Sequence, residues 1–216
     1  MNSPVQIVGS AVVACTVAVV FTSTACTVGG EPTPVATELE PKKTTSKPIR
    51  QTDDNGRNLP FSTPFPNRWS RNNNGTKYEP CTALTDAELV DAGLDPRSVS
   101  DIALADGQTA RGCQWDHADS KQSGISQGTG DAPTFEEQMA DRDWYKRSWD
   151  IRVYGRLVMV DYSDIYTCAT TVKSGRSPVS TIVVRITDAP PMSELCDIAI
   201  DFTRRTIPKM EPPARS

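Results

Sequence analysis

The chain has 216 residues, with 23 Lys and Arg against 27 Asp and Glu, one His and six Cys. A formal net charge of −4 argues against nucleic acid as a partner, and a single histidine rules out the His-rich clusters that zinc favours. The length leaves room for one core of ordinary domain size once its polar and N-terminal segments are set aside.

From Val5 to Phe21 the chain is almost wholly Val, Ala, Ile and small residues. The run is too short for a comfortable membrane span and is soon followed by Thr and Pro, so it reads as the h-region of a signal peptide. Ser23-Thr24-Ala25-Cys26 resembles a lipobox, in which small residues precede the cysteine whose thiol takes the lipid. Residues 1–25 are therefore expected to be a lipoprotein signal peptide and Cys26 the lipidated residue. Val12-Val13-Ala14-Cys15 is an alternative tetrapeptide, and an ordinary secretory signal or a retained membrane helix are the other readings. The expected location is the extracytoplasmic face of the cell membrane, with the membrane as a partner through the anchor at Cys26. In an oxidising compartment Cys81, Cys113, Cys168 and Cys196 read as disulfides rather than as metal ligands or nucleophiles, with three pairings open.

Residues 26–76 hold the anchor and a segment dominated by Pro, Thr, Lys, Asn and acidic residues. Such a composition buries little apolar surface, and the expectation is a disordered tether about 40 Å from end to end. Phe61, Phe65 and Trp69 are unusual in a tether; they either dock on the folded domain or form a recognition segment. The folded unit is expected over residues 77–208, and a disordered tail over 209–216.

Within that unit Thr85-Asp86-Ala87-Glu88 is a capping box opening a short helix to Ala92, with Gly93 placed for its C-cap. Arg111 to Asp116 reads as a strand with Cys113 and Trp115 on one face. Ser120 to Asp131, rich in Gly, Ser and Gln, reads as a loop. Thr134-Phe135-Glu136-Glu137 is a second capping box, for a helix to Arg147 with Phe135 and Met139 on one stripe and an Asp143/Arg147 pair. Strands follow over Trp149 to Tyr154, Arg156 to Tyr162, Tyr166 to Val172 and Val179 to Thr187, with a hairpin signal at 174–178. Ser193 is the expected cap of a last helix whose stripe is Leu195, Ile198, Ala199 and Phe202, ended by Pro208. The fold class is α+β: an antiparallel sheet with helices packed on one face, stapled by disulfides.

Tyr78-Glu79-Pro80-Cys81, then Leu84 and the Thr-Asp-Ala-Glu-Leu helix start with Gly93-Leu94, then Cys113-Gln114-Trp115, Cys168 before a Val-rich hairpin, and Cys196-Asp197-Ile198-Ala199 together resemble an actinobacterial lipoprotein family catalogued as domain of unknown function 3558. The resemblance covers Tyr78 to Arg205 and implies a cell-envelope lipoprotein without an assigned biochemical role. The expected pairing is Cys81 with Cys113 and Cys168 with Cys196: Cys113 and Cys168 share strand faces with core residues, and Cys196 borders the apolar stripe of its helix.

Catalytic signals are weak. Asp116 and His117 are adjacent and point to opposite strand faces, and no Gly-x-Ser-x-Gly accompanies them, so His117 reads as a surface or strand-edge histidine. Asp161 and Asp164 read as solvated carboxylates with a weak claim to calcium. Glu88/Asp91 and Asp197/Asp201 sit near helix starts, where the dipole accounts for them. No phosphate loop or cofactor signature is present, so no catalytic residue, metal ligand or cofactor is expected. The reading is a non-catalytic interaction domain for an envelope protein or cell-wall component. Its expected contact surface is Phe61, Phe65 and Trp69 with Gly124 and Ile125 of the loop; a carrier of a lipid or small ligand, or an enzyme of unrecognised type, is the alternative.

Overall fold

The computed structural model describes residues 48–214, apart from the side chain of Lys121. The expected signal peptide over 1–25, Cys15 and Cys26, residues 26–47 of the expected tether and the last two residues of the tail lie outside them. The elements run α1 (Pro80–Ala83), α2 (Asp86–Asp91), β1 (Ser100–Asp101), β2 (Ala110–His117), β3 (Ser120–Gly130), α3 (Phe135–Ala140), β4 (Arg147–Val153), β5 (Arg156–Tyr162), β6 (Thr167–Ser174), β7 (Ser177–Arg185) and α4 (Met192–Thr206). The strands form one seven-stranded sheet in the order β1-β2-β3-β7-β6-β5-β4, every neighbouring pair antiparallel.

Local chemistry sets several of these boundaries. At α2 the Thr85 hydroxyl accepts from the Glu88 N–H and the Glu88 carboxylate accepts from the Thr85 N–H, so the expected capping box is complete. Gly93 follows at φ +77°, a left-handed conformation that glycine adopts without a Cβ penalty, and the Leu94 N–H turns back to the Leu89 carbonyl. The β4–β5 turn places Tyr154 and Gly155 both at positive φ, the twist that two-residue hairpin loops require.

One face of the sheet is covered by α4, which packs on β6 and β7. Leu195, Cys196, Ala199 and Phe202 are buried there against Cys113, Trp115, Ile125, Val160 and Val183. Ile198 of the expected stripe is only half-buried, and Thr203 and Thr206 complete the stripe instead. Their hydroxyls are not orphaned. Thr203 bonds Thr170 and Thr181, and Gln127 donates to Thr181 and Thr206 while accepting from the Tyr78 hydroxyl. Both disulfides lie on this face with the expected pairing, Cys81–Cys113 and Cys168–Cys196, bridging sequence separations of 32 and 28. Loops of that size give about 3–4 kcal/mol each in the chain-entropy account.

Several expectations are corrected. Ser120–Gly130 is a strand, not a loop, because it is paired on both sides, by β2 and by β7, and that tertiary pairing overrides the low strand propensity of Gly, Ser and Gln. The helix expected to reach Arg147 stops at Ala140; Arg147 belongs to β4, and Arg142 pairs with Asp150 in place of the Asp143/Arg147 contact. The N-cap of α4 is Pro191 and not Ser193. Tail residues through Ala214 are also engaged: Met210 is buried, Pro213 bridges Gly175, and the Glu211 carboxylate accepts from the Thr76 hydroxyl and the Lys77 N–H.

The largest correction concerns residues 48–76, which pack on the domain instead of forming tether. Arg68 is 1 % exposed and Asn73 is fully buried. The Arg68 guanidinium meets Glu79 at 3.0 Å and Asp101 at 2.8 Å, and Arg111 reaches the same Glu79 carboxylate at 2.6 Å. Arg111 also donates to the carbonyls of Asn73 and Thr76. Trp69 lies beneath Arg50 and Arg68, with 4.1 Å and 4.9 Å from guanidinium carbon to ring centroid. A segment poor in apolar residues is thus held by charge and hydrogen bonding, a route that composition does not reveal.

Removing one member of a buried, paired ion cluster leaves its partners unpaired and costs about 3–5 kcal/mol. Glu79→Gln is expected to lower the urea unfolding free energy by that amount; a change below about 1 kcal/mol would show that the two arginines do not depend on it.

Candidate functional site

The topology creates a second, different face. β3 lies near the middle of the sheet and β4 at its far edge, so residues 131–146 must cross β7, β6 and β5 to connect them. They cross on the face away from α4, since Gln138 and Tyr145 of this crossing line a cleft together with Ala169 and Thr171 of β6 and Ser180 and Ile182 of β7. Those four strand positions alternate with Cys168, Thr170, Thr181 and Val183, which face the helix. The cleft has a volume of about 370 Å³, within the lower part of the range of about 300–1,000 Å³ typical of small-molecule sites.

The floor is made of small side chains. Ser126, Gly128 and Gly130 of β3, Ala169 of β6 and Ser180 of β7 leave the sheet surface low. At Gly128 a Cβ would stand 2.7 Å from Cδ1 of Ile102, so the absence of a side chain there is what admits the Ile102 wall. Tyr145 stands in the crossing, its hydroxyl accepting from the Gln138 amide at 3.3 Å.

Asp161 is the chemically distinctive residue of the cleft. Ala169, directly opposite it across the β5–β6 ladder, lines the same floor, so Asp161 points to this face as well. It is 3 % exposed, and its Oδ2 is buried with no hydrogen-bond partner among the described residues. Burial pushes its pKa up to about 6, against the lowering influence of Arg142. Arg142 is itself drawn to Asp150 at 2.6 Å, although its Nε remains buried and without a partner among the described residues. The expectation of a solvated carboxylate at 161 is therefore corrected: the residue lies under the crossing segment rather than at an open strand end.

The other expected site residues fall elsewhere. Phe61 and Trp69 are half-buried against the main core, so they dock; Phe65 is half-buried as well. Ile125 is fully buried among core residues and cannot form a contact surface, while Gly124 borders a shallower depression of about 210 Å³ on the same sheet. His117 is not a surface histidine. It is 4 % exposed, Leu94 bridges it at the end of β2, and its Nε2 has no partner among the described residues. Desolvation lowers its pKa first, then the charge of Arg185, against a hydrogen bond to the Gly93 backbone that raises it. Among the described residues no three His, Cys, Asp or Glu side chains are grouped to hold a metal ion, and no helix is long and apolar enough to cross a membrane.

A signal for the cleft was available in the sequence. Small residues at every second position of β3, Ser126-x-Gly128-x-Gly130, with a single small residue on each of two further strands, Ala169 and Ser180, mark a face where something approaches the backbone closely. The depth of Asp161 depends on where residues 131–146 cross, which periodicity alone does not carry.

Among known protein families, the model described as "Protein of unknown function (DUF3558)" matches residues 11–209. No curated protein and no solved structure matches the chain.

Because the folded-state pKa of Asp161 lies above its ordinary value of 3.8, its contribution favours the folded state fully below that value and is lost as pH rises through about 6. At pH 7.5 the buried charge is a burden of about 3 kcal/mol. Asp161→Asn is expected to raise the melting temperature at pH 7.5, with the advantage shrinking between pH 6 and pH 4. An advantage that stays constant across that range would mean that Asp161 does not titrate there.

Proposed function

Taking as premise that the chain belongs to the DUF3558 family of unknown function, we propose that it is a lipid-anchored, extracytoplasmic binding protein that captures a small ligand in the cleft between the sheet and residues 131–146. The observation that carries this reading is Asp161, a buried carboxylate with an unpartnered oxygen in the floor of a roofed, largely apolar cavity. Such sites combine apolar walls with a few placed polar groups that fix orientation. Unpaired buried carboxylates are costly, and a site that keeps one gives up stability that a ligand can restore. This reading prefers the ligand carrier to the contact module expected from Gly124 and Ile125, since Ile125 is part of the core. Binding without turnover is favoured because the residues lining the cleft include no histidine or cysteine beside that carboxylate.

The anchor belongs to the same proposal. It rests on the apolar run from Val5 to Phe21 and the lipobox-like Ser23-Thr24-Ala25-Cys26, followed by Thr- and Pro-rich chain.

Two measurements test these elements separately. Cys26→Ser is expected to abolish metabolic labelling by a fatty acid and release the protein from the membrane fraction; labelling that survives moves the anchor to Cys15 or removes it. For the cleft, Ala169→Trp places an indole on the floor without touching the α4 side. Native mass spectrometry of protein exposed to a cell-envelope extract is expected to find a small molecule retained by the wild type and lost in Ala169→Trp, at unchanged melting temperature. Equal retention by both, or retention by neither, would remove the binding role.

A further inference from the structure

We propose that the ligand carries a basic nitrogen, as an ammonium or amidinium group on a compact aromatic or aliphatic body, and that Asp161 is its counter-ion. This rests on the binding reading above and adds the chemistry that the cleft selects.

The polar end is defined by what Asp161 lacks. An ionised carboxylate only accepts hydrogen bonds; Asp161 lines the cleft, and its Oδ2 is buried with no donor among the described residues. Buried polar atoms in native proteins are nearly always satisfied, so an orphan acceptor in a cleft points to a donor that arrives with the ligand. The charge of the lining agrees. Asp131 and Asp161 line the cleft, and no Lys or Arg does. The nearby cation, Arg142, has one terminal nitrogen, Nη2, bonded to Asp150, while its Nε is buried without a partner among the described residues; it does not itself line the cleft. A recess lined by carboxylates and by no cation attracts a cation and disfavours a carboxylate or phosphate.

A bare metal ion fits the recess poorly. Calcium takes six to eight oxygen ligands, whereas no group of three acidic or metal-ligating side chains is present among the described residues. An organic cation needs only one carboxylate, and the rest of the cavity serves its body. Ile102 and Ile182 supply aliphatic walls, Tyr145 a ring, and Gly128 and Ala169 a low floor on which a flat group can lie.

Matched probes that share a body and differ in the polar group test this. Tryptamine, tryptophol and indole-3-acetate, with benzylamine and benzyl alcohol as a second pair, are titrated calorimetrically at pH 7.5 into the full-length protein and its Asp161→Asn and Ala169→Trp variants. The amine of each pair is expected to bind the wild type at least about tenfold more tightly than the alcohol, the worth of a charge-assisted hydrogen bond. In Asp161→Asn that preference is expected to vanish while the alcohols bind unchanged; Ala169→Trp is expected to weaken every probe. Equal binding of amine and alcohol, tightest binding of indole-3-acetate, or an amine preference that survives in Asp161→Asn would each overturn the cation assignment while leaving cleft binding in place. If none of the probes bound the wild type, the assignment would also fall, and the retention experiment would decide the binding role independently.

Discussion

A seven-stranded antiparallel sheet presents two faces to water, and the described residues include one long helix with which to cover them. The cover is asymmetric because α4 follows β7 directly and lies over β6 and β7, close to the central strands. It brings the apolar side chains of β2, β3, β5, β6 and β7 into one core, tied by two disulfides. Beneath the C-terminal half of α4 the packing turns polar, through Gln127 and Thr170, Thr181, Thr203 and Thr206. A fully satisfied buried network of that sort rewards one register of helix on sheet and penalises slippage, which apolar packing alone does less sharply. The opposite face is left to a short crossing connection, and the cleft is the space between that connection and a floor of small residues.

The N-terminal edge is stabilised by other means. Residues 48–76 contribute Leu59, Phe61 and Trp69 to the core, but their attachment centres on Arg68, which sits between Glu79 and Asp101 and next to the Cys81–Cys113 bridge. Two guanidinium groups share one carboxylate, and their remaining donors go to backbone carbonyls of Gly112, Asn73 and Thr76. Partly satisfied, such a cluster would be a liability; with its donors used, it fixes a polar segment in one position.

Much of the fold was legible in the residues. The complete capping box at Thr85, the turn at Gly93, the alternation that puts Cys113 and Trp115 on one face, and the helical stripe around Ala199 each express a local rule that the tertiary structure keeps. The cysteine pairing followed from the same face logic. What escaped was set by contacts distant in sequence. Ser120–Gly130 has the composition of a loop and becomes a strand because β2 and β7 pair with it on either side. Residues 48–76 have the composition of a tether and fold because their few charged residues find buried partners. Asp161 looked like a solvated strand-end carboxylate, and only the path of residues 131–146 across the sheet takes it out of water.

The placement of the two disulfides has a consequence for motion. Both bridges tie α-helices to strands on the α4 side, and neither reaches residues 131–146. The floor of the cleft is therefore backed by cross-linked, slowly opening structure, while the roof is held by noncovalent ties such as Phe135 N–H to the Arg176 carbonyl, Lys173 to Glu136 and Arg142 to Asp150. Segments held in that way open locally at a small fraction of the free energy of global unfolding. If the proposed ligand binds there, its entry and escape would proceed by lifting the roof on the timescale of loop motion, with the sheet unmoved. Under the proposed binding role the labour would be divided accordingly: a cross-linked half that sets what fits, and a noncovalently held half that sets how long it stays.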